Sequence, residues 1–114
     1  MEASITKALT NLLKYANKII AFCEKRSYEQ FQGDQLLIDA CVMNFCNLGE
    51  QARRMPDEFK AAHPEIPWGA MYFMRNRLAH DYEGLNPDIL WHTIQADLPR
   101  LREQLEALLQ EARP

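Results

Sequence analysis

The chain has 114 residues, of which 47% are hydrophobic and 25% are charged, and its formal net charge is −3. This length suits a single domain over residues 1–114, and the composition excludes a disordered or collagen-like protein. No apolar stretch approaches the ~20 residues that a membrane helix needs, the first residues lack the pattern of a secretory signal, and the mild negative charge argues against nonspecific coating of nucleic acid.

Hydrophobic periodicity predicts helices through the first half of the chain. Between residues 4 and 23 the apolar side chains recur every three or four positions, which is typical of an amphipathic helix. Ser27 and Gln30 fit a capping box, so a short helix should begin there and be interrupted at Gly33. A second long helix is then predicted over residues 34–54, capped by its first residue. Its apolar stripe comprises Leu37, Cys41, Phe45 and Leu48.

Prolines divide the middle of the chain. Pro56 is followed by two acidic residues, and this pattern predicts the start of a short helix. Residues 63–67 contain two prolines three positions apart, which prevents a continuous helix through this connector. Pro67 should then start a helix that runs to about His80.

The last third of the chain predicts one break and one interrupted helix. Residues 81–85 form the break, with Gly84 expected in the left-handed conformation. Asn86 and Pro87 are typical of a helix start. Pro99 lies inside the helix that follows and should bend or divide it. The sequence therefore predicts an all-α helical bundle of four main helices plus short helices, with the last helix kinked near Pro99.

Three cysteines, Cys23, Cys41 and Cys46, all lie in segments predicted to be helical. An odd number of cysteines on helices favours buried free thiols over a disulfide framework. Their spacing is not that of a zinc site, and His63 and His92 stand apart from them. We therefore expect a cytoplasmic protein with no metal and no cofactor.

One nine-residue stretch carries chemistry that a bundle does not require: it contains Arg75, Asn76, Arg77, His80 and Tyr82. On a regular helix Asn76 and His80 share a face, whereas Arg75 lies about 140° from His80. Convergence of Arg75 and His80 therefore needs either a distorted helix end or a second copy of the chain. Arg75 and Tyr82 would share a face if the helix persisted that far. On these residues alone, solvated arginines and a histidine that interacts with the helix dipole are the favoured interpretation.

The order Arg75-x4-His80-x-Tyr82, with Asn76 directly after the arginine, resembles the signature of the HEPN superfamily. Residues 47–52, 63–68 and 90–101 resemble the flanks of its HepT-like branch, so the resemblance covers nearly the whole chain. Met74 departs from the small residue that many relatives have before the arginine.

This resemblance implies a HEPN-type helical bundle that forms a homodimer and acts as the toxin of a toxin–antitoxin pair. The implied activity is a metal-independent endoribonuclease that cleaves tRNA or mRNA. The implied partner is a minimal nucleotidyltransferase of the MntA type, which inhibits the toxin by AMPylation of the motif tyrosine. By position, Arg75 and His80 are then the catalytic pair, Asn76 supports them and Tyr82 is the AMPylation acceptor. Arg77 is added as a supporting residue from its charge alone.

These side chains suit RNA cleavage because RNA supplies its own nucleophile, the 2′-hydroxyl. Histidine can take or give a proton near neutral pH, and the arginine fork matches two phosphate oxygens. Asn76 could fix the imidazole or bind a phosphate oxygen, and Tyr82 could stack on an unpaired base. The expected products carry 2′,3′-cyclic phosphates and form without a divalent metal.

Two other functions remain open from the sequence. The chain could be a noncatalytic nucleotide- or RNA-binding subunit of a nucleotidyltransferase complex, or a plain dimerisation bundle. Growth arrest on expression that is relieved by His80→Ala would favour the nuclease. Seven methionine and aromatic residues provide more apolar surface than the core of a small bundle obviously needs, which is suggestive of dimerisation. Core packing is nevertheless the default interpretation for most of them. They are Met43, Met55, Trp68, Met71, Tyr72, Phe73 and Met74.

The charge is unevenly divided along the chain. Residues 51–80 carry five basic and three acidic side chains, whereas residues 81–114 carry three basic and seven acidic ones. The net charge therefore conceals a basic middle segment that includes Arg53, Arg54, Arg75 and Arg77. Such a segment suits a small, selective RNA site rather than a nonspecific coat.

Overall fold

The computed structural model describes residues 1–112, which form seven α-helices and no strand. In chain order the helices are α1 (Ala3–Cys23), α2 (Tyr28–Gln32), α3 (Gln35–Arg54), α4 (Asp57–Ala62), α5 (Trp68–Asp81), α6 (Pro87–His92) and α7 (Leu98–Glu111). A π-helical turn (Thr93–Asp97) joins α6 to α7. The predicted all-α bundle of four main helices plus short helices is confirmed.

Helix α3 is the centre of the bundle, with α1 packed on one side and α5 on the other, while α7 packs against α1. The predicted apolar stripe of α3 is buried along its whole length. Cys23 and Cys41 are buried free thiols, as predicted, with their Sγ atoms 3.6 Å apart, whereas Cys46 is free but only half-buried. None of the helices in residues 1–112 is long and apolar enough to cross a bilayer.

The predicted helix caps form hydrogen bonds at three helix starts. Ser27 and Gln30 make both bonds of the capping box, at 3.1 and 2.9 Å. The Asp34 carboxylate accepts the backbone N–H of Leu37 at 3.0 Å, and the Asn86 side chain accepts a backbone N–H in the first turn of α6 at 3.0 Å. These caps satisfy backbone donors that the first helical turn leaves unpaired, so they fix where α2, α3 and α6 begin.

The break after α5 differs from its prediction, because Gly84 does not have a positive φ. Tyr82 keeps helical angles (φ −58°, ψ −46°), so the chain leaves α5 without a left-handed residue. An added Cβ at position 84 would lie 2.4 Å from a carboxylate oxygen of Asp81, but this is the end of a flexible side chain that can turn away, so lack of space does not require glycine here. The positive φ in the described chain belongs to Lys25 (φ 64°), between α1 and α2.

Pro99 divides the last helix, as predicted, and the division takes the form of the π-helical turn directly before α7. Proline has no backbone N–H and its ring collides with the carbonyl four residues earlier, so the chain widens locally instead of continuing as an α-helix. The apolar stripe is nevertheless buried on both sides of the turn. It consists of Leu90, Ile94, Leu98, Leu101, Leu105 and Leu108.

Candidate active site

Helix α5 is regular throughout the motif, so its side chains keep the spacing of an ideal helix. Arg75 and Tyr82 both face α3, which confirms that they share a face. His80 is exposed near the C-terminal end of α5. Because the helix end is not distorted, α5 by itself does not bring Arg75 and His80 onto one face.

Arg75 is held in place by one ion pair and one hydrogen bond. Its Nε lies 3.0 Å from Glu50 Oε1 of α3 in an ion pair, and one terminal nitrogen donates to Asn76 Oδ1 at 2.9 Å. Side chains of Arg75 and Glu50 are about one-third exposed, so the guanidinium retains a face toward solvent. A planar cation fixed at one edge and open at another is suited to binding a phosphate.

Glu50 forms ion pairs with three arginines on the surface of α3 and α5. Its carboxylate lies 3.2 Å from Arg53 and 4.0 Å from Arg54, in addition to Arg75. The hydrogen bond from Arg53, together with the charges of Arg75 and Arg54, holds the pKa of Glu50 below its usual range. Three permanent positive charges surround one negative charge here, so three of the four arginines of the predicted basic segment form a cationic patch.

Gly49 lets α5 approach α3 closely enough for this arrangement. An added Cβ at position 49 would lie 2.2 Å from the Cβ of Arg75 and 2.7 Å from the carbonyl oxygen of Met71. A side chain of any size would therefore separate the two helices. The glycine and the glutamate that follows it together determine where the Arg75 side chain begins and where it points.

Asn76 lies beside Arg75, whereas Arg77 does not. Asn76 accepts a hydrogen bond from Arg75, so it helps to orient the arginine. Arg77 lies on the opposite side of α5, where it lines a cleft of about 710 Å³ together with Phe73 and Ile89. The structure therefore does not bring Arg77 to Arg75, because two residues along a helix are rotated by about 200°.

Tyr82 is anchored to the start of α3. Its hydroxyl donates to Asp39 Oδ1 and accepts from Gln35 Nε2 at 2.7 Å. Gln35 Nε2 also donates to Asp39 Oδ1 at 2.8 Å. The three side chains form a closed polar network at the surface, beside the end of the motif helix.

The side chain of His80 differs from those of Arg75 and Tyr82, because it makes no hydrogen bond or ion pair with any other residue in the range 1–112. It lies in the last turn of α5. Within the same range, no group of three or more His, Cys, Asp or Glu side chains is placed to hold a metal ion.

Sequence reasoning did not identify the α3 residues that hold the motif: Gln35, Asp39 and Glu50. The sequence does contain one indication of the contact at Glu50. Gly49, the residue before it, is an isolated glycine inside a strongly periodic helix, and such a glycine commonly marks a close contact with another helix. Asp39 and Gln35 gave no such signal. They lie more than 40 residues from Tyr82 along the chain and meet it only through the packing of α3 against α5.

Comparison with known proteins identifies the family. Residues 12–108 match the family model described as ribonuclease HepT-like. The chain is 33% identical over 103 residues to a protein of Caldanaerobacter subterraneus subsp. tengcongensis named as a candidate RNase, TTE0752, covering 90% of this chain and 92% of that one. It is 32% identical over 108 residues to "Probable ribonuclease HepT" of Thermococcus cleftensis, covering 95% and 98%. No solved structure gives a significant match. The chain belongs to the HepT-like ribonuclease family of the HEPN superfamily.

Proposed function

We propose that this protein is a ribonuclease toxin that cleaves RNA with Arg75 and His80 and is controlled through Tyr82. The observation that carries the proposal is the fixed presentation of Arg75 by Glu50 and Asn76 on the same helix that exposes His80. The family match and the ribonuclease names of the relatives support the same activity.

The chemistry requires a proton acceptor, a proton donor and positive charge near the phosphorus. His80 can serve as acceptor or donor because an imidazole titrates near neutral pH. Arg75 stabilises the negative charge that develops on the phosphorane, and its bond to Glu50 keeps the guanidinium oriented without motion during the reaction. The 2′-hydroxyl of the substrate attacks the neighbouring phosphorus, the 5′-oxygen leaves, and the product carries a 2′,3′-cyclic phosphate.

A homodimer would complete the site. Arg75 and His80 diverge on a regular helix, so a site that uses both residues needs a second chain facing the first. Three of the seven methionine and aromatic residues noted in the sequence are exposed: Met43 at 63%, Phe73 at 65% and Tyr72 at 37%. Met55, Trp68 and Met71 are buried in the core instead. The exposed three lie on α3 and α5, the helices that carry the motif network, and would be covered by the partner chain.

Inhibition through Tyr82 follows from its position. A minimal nucleotidyltransferase of the MntA type would attach AMP to the hydroxyl, two residues beyond His80. The added phosphate is negatively charged and the adenosine is bulky, so the group would compete with RNA for the positive charges of the site. Because AMP would be attached covalently to Tyr82, the inhibition would persist after the antitoxin dissociates.

Expression of the chain alone tests the proposal. Induction should arrest bacterial growth, and His80→Ala and Arg75→Ala should each relieve the arrest. His92→Ala is the matched control, because His92 is also exposed and lies on α6, outside the motif. Coexpression with the nucleotidyltransferase should restore growth and add the mass of one or more adenylyl groups, which Tyr82→Phe should abolish.

The result also separates the competing functions. Arrest that persists in His80→Ala would favour a noncatalytic nucleotide- or RNA-binding subunit. Restored growth with an unmodified Tyr82 would mean that the antitoxin blocks the site sterically.

A further inference from the structure

The hydroxyl of Tyr82 is held by two side chains of α3 to which no role has been assigned. It donates its proton to Asp39 Oδ1 and accepts a hydrogen bond from Gln35 Nε2 at 2.7 Å. A hydroxyl oxygen has two lone pairs and one proton, so these contacts leave one lone pair for a third partner. A cleft of about 410 Å³, lined by Gln35, Tyr82 and Leu85 among others, opens beside the network and gives a reagent room to approach.

Group transfer to a tyrosine needs a base as well as a free lone pair. A phenol is a weak nucleophile while it keeps its proton, and an adjacent general base activates it. Such a base must lie within hydrogen-bond reach of the proton that it removes. Asp39 meets this requirement, because its carboxylate already accepts the Tyr82 proton as a hydrogen bond.

We propose that Asp39 is the proton acceptor for group transfer to Tyr82, and that Gln35 positions both groups. The inference rests on the proposed function in that the natural reaction would be AMP transfer from ATP, supplied by the nucleotidyltransferase. The Tyr82 oxygen forms a bond to the α-phosphorus, and the bond from that phosphorus to the bridging oxygen of the leaving group breaks. Pyrophosphate departs, and the phenolic proton moves to the Asp39 carboxylate and then to solvent. The toxin thus provides the base for its own inactivation.

Gln35 contributes orientation rather than proton transfer. Its amide nitrogen donates to both Tyr82 and Asp39, so it fixes the carboxylate against the hydroxyl before any nucleotide arrives. An amide cannot accept a proton at neutral pH, which leaves Asp39 as the base of the network. After transfer the tyrosine oxygen has no proton, and the new phosphate repels the carboxylate that held it. The product therefore leaves α3, which prevents reversal through the same contact.

An arylsulfonyl fluoride tests Asp39 on the full chain without any partner. The Tyr82 oxygen attacks the sulfur, fluoride leaves, and the proton goes to the base, so the reagent requires the same assistance as ATP. We expect Asp39→Asn to slow labelling of Tyr82 about a hundredfold, within the range that general base catalysis contributes. Asp39→Glu should restore most of the rate. Because asparagine can still accept both hydrogen bonds, a merely structural role would leave the Asp39→Asn rate unchanged.

Two controls separate base catalysis from a general effect of charge or folding. Asp34→Asn removes one negative charge from the same helix start and keeps a good N-cap, so it should leave the labelling of Tyr82 unchanged. Tyr28, which lies in the first turn of α2, is the internal reference within each sample, and its rate should be the same in all variants.

The same variants are then incubated with the nucleotidyltransferase and Mg-ATP, and AMP transfer is followed by intact mass. A wild-type rate for Asp39→Asn in either reaction would overturn the assignment of Asp39. A wild-type chain that gains no AMP, while its sulfonyl labelling still depends on Asp39, would refute the proposed AMP transfer and leave Asp39 as the base of Tyr82.

Discussion

Replacement of Gly49 by alanine tests how the α3–α5 contact positions the motif. The added Cβ would lie 2.2 Å from the Cβ of Arg75 and 2.7 Å from the carbonyl oxygen of Met71, whereas ordinary contact begins near 3.4 Å. One of these neighbours is a backbone atom and the other is attached directly to the backbone, so a change of rotamer relieves neither contact. The two helices must therefore move apart by about an ångström, and Arg75 must move with α5.

The expected change in the free energy of unfolding of Gly49→Ala is the sum of two opposing effects. Alanine in a helix interior is more favourable than glycine by about 0.5–1 kcal/mol. Overpacking a close helix contact costs about 1–3 kcal/mol, and the rigid neighbours place Gly49→Ala at the upper end. We expect a net loss of about 2 kcal/mol in the free energy of unfolding, equivalent to a fall of about 8 °C in Tm for a domain of this size.

Urea denaturation and thermal unfolding measure this loss, with Gly69→Ala as the matched control. Gly69 lies in the first turn of α5, and a Cβ there meets nothing within 4 Å. Gly69→Ala should therefore be as stable as the wild type or slightly more stable. If Gly49→Ala were also at least as stable as the wild type, the close helix contact and the role of Gly49 in positioning Arg75 would be wrong.

Three further predictions concern the cap, the arginine cluster and the exposed face. Asp34→Ala should lower the free energy of unfolding by about 1 kcal/mol, measured in urea, whereas Asp34→Asn should not. Arg53 and its neighbours lower the pKa of Glu50 in the folded chain. The stabilisation that ionised Glu50 provides is therefore present above the unfolded pKa and is lost as the pH falls through the folded pKa. The difference in Tm between wild type and Glu50→Gln should accordingly shrink below pH 4.5. Phe73→Asp should shift the chain toward monomer in light scattering and lower RNA cleavage, while the same measurements on Glu58→Ala, a change on α4, should match the wild type.

Most of the fold could be predicted from the sequence because its signals are local. Three-and-four spacing placed the long helices, and the side chains of Ser27, Asp34 and Asn86 marked helix starts to within a residue. Gly84 was predicted incorrectly because a glycine after a helix can adopt either a positive or a negative φ, and the local pattern does not distinguish the two.

The site could be predicted only in part. The motif itself is contiguous, so Arg75, His80 and Tyr82 were visible in the sequence. Their partners on α3 depend on how two helices pack, and 25 residues separate Glu50 from Arg75. The hydrogen bond from Arg75 to Asn76 was not predicted either, because helical geometry places Asn76 near His80 and gives no sign that the long Arg75 side chain reaches its amide.

Cleavage of RNA by the purified chain in the presence of a chelator tests the central claim most directly. We predict that the wild type cuts single-stranded RNA in EDTA, leaves 2′,3′-cyclic phosphate ends, and loses at least about a hundredfold in rate on His80→Ala but not on His92→Ala. A His80→Ala chain that cuts at the wild-type rate, or products that end in a 3′-hydroxyl, would contradict the account.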